Sequence, residues 1–164
     1  LVATKLGLRQ GPGINDIGTA RSRIFDQAEQ SLRRLKVETI DLYQLHAWDG
    51  QTPVDETMDA LDRLVSSGKI RYVGASNFSG WHLSKVQYAA ERGGKVPLVS
   101  QQIHYTLQAR DAESELIPIA VDHGLGVLVW SPLAGGRLRQ NTAVADIQQR
   151  VGGQCGLSLE QTAL

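Results

Sequence analysis

The chain is 164 residues long, 41% hydrophobic and 21% charged, which suits one soluble globular domain with room for a sizeable core. Its 17 basic and 17 acidic side chains cancel, which argues against nucleic acid or an acidic membrane surface as an electrostatic partner. A single cysteine, Cys155, excludes an intrachain disulfide and suits a reducing compartment, so a cytoplasmic setting is expected; no apolar run approaches the ~20 residues of a membrane span, and no signal peptide opens the chain.

Residues 1–6 read as a strand with Leu1, Ala3 and Lys5 on one face and Val2 and Thr4 on the other. A loop rich in Gly, Pro, Asn and Asp follows over 7–18. The helical spacing of Ile24, Ala28, Leu32 and Leu35 predicts a helix over 22–35. The second strand, 39–46, puts Ile40, Leu42, Gln44 and His46 on one face and Asp41, Tyr43 and Leu45 on the other. Pro53, at a first-turn position, opens a helix to Ser66, with Val54, Met58, Leu61 and Leu64 on one stripe and Gly68 closing it.

A third strand over 70–75 leads into Ser76, Asn77 and Phe78, and a helix over 80–91 turns Leu83, Val86 and Ala90 inward. Pro97 introduces the strand 98–103. In the next helix Pro118 is tolerable only near the first turn, so Ser114 rather than Asp111 is the expected cap. Residues 127–130 form a fifth strand, a short apolar run of the kind buried on both faces. A turn-rich loop spans 131–136, followed by helical patterns over 144–151 and after Ser158, where Ser158 and Gln161 make a capping box.

Strands alternating with helices predict a parallel α/β sheet. A doubly wound sheet and part of a (β/α)8 barrel both fit this periodicity. A dinucleotide-binding unit would want G-x-G-x-x-G after the first strand, and residues 7–13 do not supply it. The expected architecture is therefore a (β/α)8 TIM barrel, incomplete, with about five strand–helix units in a single partial domain over residues 1–164. The chain begins inside a strand pattern without an initiator methionine, and stops about one turn into its last helix. It reads as a fragment or as the visible part of something longer.

In such barrels chemistry gathers where strands run out at their C-terminal ends. Those positions hold Lys5, His46, Ser76, Asn77, Gln101, Trp130 and Ser131. Each has a bland counterpart. Lys5 alone reads as a lysine snorkelling to solvent, His46 as a satisfied core histidine, Ser76 and Asn77 as a turn, and Trp130 as core. Gln101 is harder to dismiss, because a buried amide needs partners for both ends. His82, His104 and His123 weigh less. No His, Cys, Asp or Glu pair makes a zinc motif, so no catalytic metal is expected, and Ser131 lacks a nucleophile elbow.

Taken together, four segments resemble the aldo-keto reductase family, in the family's order: 2–5 (VATK), 31–35 with 40–46 (SLRRL and IDLYQLH), 68–78 (GKIRYVGASNF) and 130–136 (WSPLAGG). The resemblance covers essentially the whole chain and corresponds to the central part of the family's chain. It implies a barrel with NADP(H) across the C-terminal rim, acting on a small-molecule carbonyl substrate. By that resemblance Lys5 is the lysine that tunes the catalytic acid and His46 orients the substrate carbonyl. Ser76, Asn77 and Gln101 hydrogen-bond the nicotinamide carboxamide, Trp130 stacks on its ring, and Ser131 and Leu133 run beside the pyrophosphate. The implied activity is oxidoreduction of aldehydes or ketones to alcohols; the alternative is a non-catalytic, cofactor-binding regulatory subunit with the same barrel.

The departures are definite. The family's acid tyrosine and its aspartate lie upstream of the strand that Lys5 ends, and none of Tyr43, Tyr72, Tyr88 and Tyr105 takes that role from sequence. The segment 136–141 is shorter than the family's usual loop. Five strands do not close an eight-stranded barrel, so an isolated 164-residue piece is expected to be open, poorly soluble and inactive.

Overall fold

The computed structural model describes residues 1–140 and 142–164; Asn141, the end of the segment read above as a shortened loop, lies outside the described residues. Five strands, β1 (Ala3–Leu6), β2 (Ile40–Leu45), β3 (Ile70–Ser76), β4 (Leu98–His104) and β5 (Gly126–Trp130), pair in parallel in chain order. Helices α1 (Arg21–Leu35), α2 (Val54–Ser66), α3 (Gly80–Gly93) and α4 (Leu116–Asp122) form the connections, and α5 (Thr142–Cys155) and α6 (Leu159–Ala163) follow. The sheet does not close: β1 and β5 are its edges, and the whole is an open stretch of (β/α)8 wall with five strand–helix units.

One face of the sheet carries the core. Leu6, Tyr43, Leu45, Val73, Ala75 and Leu98 pack against Ile24, Ala28 and Leu32 of α1, Met58, Leu61 and Leu64 of α2, and Leu83, Val86 and Ala90 of α3. Burial at this density draws on about 25 cal/mol per Å² of apolar surface removed from water, and it is what fixes the strand faces. The predicted alternation in β2 holds from Leu42 onward, whereas Ile40, the strand's first residue, joins the helix-side core. On the opposite face the register sets Lys5 beside Gln44, Gln44 beside Gly74, Gly74 beside Ser100, and Ser100 beside Gly126. That row is polar or small. A Cβ on Gly74 would lie 2.5 Å from Ser100 Oγ and 3.1 Å from Gln44 Cγ, so glycine is what lets these neighbours meet.

Three expectations are corrected. β5 is not buried on both faces: Val127, Leu128, Val129 and Trp130 are each 37–40% exposed. A short apolar run reports strand propensity, but β5 has a strand neighbour on one side only and a seven-residue helix behind it. Ser114 does not cap α4. It closes a 3₁₀ turn, Asp111–Glu113, by donating its hydroxyl to Asp111 O at 2.7 Å, and Glu115 takes the cap position without a side-chain bond. Pro53 stands at the N-cap of α2 rather than inside its first turn. The capping box at α6 is present, with Gln161 N donating to Ser158 Oγ and Ser158 N to Gln161 Oε1. No helix among the described residues is long and apolar enough to cross a membrane.

Candidate active site

All five strands run out at one end, so the residues that end them share a rim. Lys5, His46, Ser76, Asn77, Gln102 and Trp130 line one recess there, of about 320 Å³. His46 extends the ladder one residue past β2, its N–H donating to Leu6 O at 2.9 Å. Burial lowers its imidazole from the ordinary histidine value, and the Lys5 ammonium pushes the same way. His46 is therefore a neutral ring beside a cation, able to donate one N–H into the recess.

Asn77 ties the rim together. It sits just past β3 with φ +57, a left-handed conformation that asparagine adopts more readily than bulkier residues. Its backbone N–H donates to Gln102 O at 2.9 Å. Its side-chain Nδ2 donates to His46 O at 3.2 Å and to Ser76 Oγ at 3.0 Å. Its Oδ1 accepts from the Trp130 indole at 2.9 Å. One amide thus bridges β2, β3 and β5, with its acceptor and both donors engaged.

Gln101 is not on this rim. It is fully buried on the helix side, where Nε2 donates to Phe78 O at 2.7 Å and steadies the turn after Asn77. The residue that faces the recess is Gln102, the register partner of Ser76. Period-two reading carries the signal: Gln101 shares a face with apolar Ile103, while Gln102 shares one with Ser100 and His104. Two adjacent glutamines differ only in parity: the resemblance points to Gln101, and the recess is lined by Gln102. Gln102 Oε1 is buried without a hydrogen-bond partner, an acceptor still open to a donor arriving in the recess.

Ser131 and Leu133 follow Trp130 into a tight turn but do not border the recess. None of the four tyrosines borders it either. Tyr43 is buried on the core side, where desolvation raises its phenol well above the ordinary value against the pull of Arg23 and Arg34. Tyr72 and Tyr88 are exposed, and Tyr105 bonds Glu113. Among the described residues no three His, Cys, Asp or Glu side chains gather as a metal set would.

Two features of the rim went unread in the sequence. His82, third residue of α3, completes the cap set by Ser79, its Nδ1 accepting from Ser79 N at 3.3 Å, and is stacked on Trp48 with centroids 4.2 Å apart, so the loop after His46 is packed onto α3. Asp49 anchors the same loop by accepting from Thr19 N (2.8 Å), Thr19 Oγ (3.0 Å), Thr52 Oγ (2.7 Å) and Gln51 N (2.9 Å). Burial alone would raise the Asp49 carboxyl, but these bonds outweigh it and hold the group at about 2 instead of 3.8. A depressed carboxyl contributes stability that is complete above its unfolded value and is lost as pH falls from 3.8 towards 2. The shift would set a ceiling of ~2.4 kcal/mol, and solvent screening at this half-exposed position reduces it to about 1 kcal/mol. Asp49→Asn in the intact protein should lose that increment at neutral pH and show a shallower decline in unfolding midpoint between pH 5 and 2. An unchanged acid profile would remove the carboxylate from the account.

A cation, an imidazole and an indole thus meet at the C-terminal rim of a parallel wall, the end at which chemistry gathers in closed (β/α)8 barrels. Residues 1–155 match the sequence profile of the Aldo/keto reductase family, and the chain belongs to that family. Over 127 residues it is 49% identical to an uncharacterized oxidoreductase, YrpG, of Bacillus subtilis, covering 77% of this chain and 39% of that one. It is 42% identical over 125 residues to the aldo-keto reductase AFTS1 of Alternaria alternata, covering 76% and 34%. Versiconal hemiacetal acetate reductase of Aspergillus parasiticus is 39% identical over 129 residues, covering 79% and 37%. The chain thus spans little more than a third of the length of these relatives.

Proposed function

We propose that residues 1–164 form one domain of an oxidoreductase that reduces an aldehyde or ketone to an alcohol with NADPH, in the cytoplasm. The observation that carries this reading is the shared recess of Lys5, His46, Ser76, Asn77, Gln102 and Trp130. The residues present fit a nicotinamide: the orphaned Gln102 Oε1 would accept from a carboxamide N–H, the buried Ser76 hydroxyl lies beside Gln102 in register, and the indole would offer a flat face. When bound, the cofactor supplies the hydride. His46 donates its N–H to the substrate oxygen, where negative charge builds during reduction. Lys5 places a positive charge beside that oxygen and beside whichever acid delivers the proton.

The test is direct. The intact protein is mixed with NADPH and a panel of small aldehydes, and the loss of reduced-nicotinamide absorbance is followed. Turnover supports the reductase. Cofactor binding without turnover across the panel would instead make the protein a cofactor-binding regulatory subunit.

A further inference from the structure

An indole has two faces, and a stacking platform needs one of them free and the ring itself held still. Trp130 meets both conditions through a residue to which nothing has so far given a role. His104, the last residue of β4, is its register partner across the β4–β5 pair. The two rings lie with centroids 4.3 Å apart and planes 25° from parallel. The Trp130 edge is pinned separately, by Nε1 donating to Asn77 Oδ1 at 2.9 Å. Trp130 lines the recess that holds Lys5 and His46, whereas His104 does not; it lines a separate groove with Asn77 and Phe78. The imidazole therefore covers the back of the indole, and the front looks into the site.

We propose that His104 is a positioning residue for the cofactor: by stacking behind Trp130 it leaves a single indole face for the nicotinamide and fixes the plane on which that ring lands. This rests on the nicotinamide-binding reading of the recess. An offset-stacked pair of this kind is worth enough to change affinity about three- to tenfold.

The experiment compares two ligands on the intact protein: NADPH, and 2′,5′-ADP, which shares the adenosine half but has no nicotinamide. His104→Ala should raise the NADPH Kd about three- to tenfold and leave that of 2′,5′-ADP within about twofold. His104→Phe, which keeps a flat ring, should restore NADPH binding. Equal weakening of both ligands would mean that His104 supports the fold and would overturn the proposal, as would unchanged NADPH binding in His104→Ala or failure of His104→Phe to rescue. If the unaltered protein binds 2′,5′-ADP but not NADPH, or neither, the nicotinamide reading itself has failed and the proposal falls with it.

Discussion

His46→Ala should lower turnover with NADPH and an aldehyde by about a hundredfold to a thousandfold, while NADPH affinity stays within about twofold. The split follows from where His46 is held. Its backbone is fixed on both sides, by its own N–H on Leu6 O and by its carbonyl accepting from Asn77, so truncating the side chain leaves the rim standing. On the proposed reductase reading, what is lost is the donor to the oxygen where charge develops, a loss felt in the transition state and not in cofactor binding. The pH dependence adds a second check. Burial and the Lys5 ammonium both depress His46, so the ring stays neutral to lower pH than a free imidazole does. Any inflection in turnover that reports His46 should accordingly lie below 6.5, the unperturbed value. A parallel fall in turnover and cofactor affinity, measured by steady-state kinetics and by NADPH fluorescence, would make His46 structural.

The sheet was legible because each strand carries its own periodicity and each connecting helix its own stripe. Tyr43 and Leu45 alternate with Leu42 and Gln44, and the helix-side core follows from that alternation. The rim was half legible. Lys5, His46, Ser76 and Trp130 end their strands, and parallel pairing brings strand ends together whatever the residues. The exchange of Gln102 for Gln101 shows the limit of a motif: adjacent identical residues point to opposite faces, and only the companions Ser100, Ile103 and His104 decide between them. β5 misled for a different reason. An apolar tetrad states what a strand is made of, and its burial depends on which strand lies on its far side, a long-range fact. The Asp49 anchor escaped because its partner Thr19 is 30 residues away on another loop, and the His82 contact because a histidine stands where a capping box usually has Glu or Gln.

Asn77 is where the next-largest effect is expected, and its substitutions separate backbone from side chain. Asn77→Gly keeps the left-handed conformation without strain but removes the bonds to His46 O, Ser76 Oγ and Trp130 Nε1. With each bond contributing roughly 0.5–1.5 kcal/mol, NADPH affinity should fall about tenfold or more as the indole and the His46 loop loosen together. Asn77→Ala loses the same bonds and should be less stable than Asn77→Gly by about 1 kcal/mol, because Cβ crowds the backbone at positive φ. Equal stability of the two in denaturant unfolding would mean that the backbone there relaxes. A third substitution decides whether Asn77 organises the site or contacts the cofactor itself. Trp130→Phe keeps an aromatic face but has no N–H, so it frees Asn77 Oδ1. If Asn77 acts by holding the platform, Trp130→Phe weakens NADPH binding, because the ring loses its pin. If Asn77 acts as a direct carboxamide partner, the released acceptor strengthens it. The observed amide, with its oxygen on the indole and its nitrogen on β2 and β3, predicts weakening.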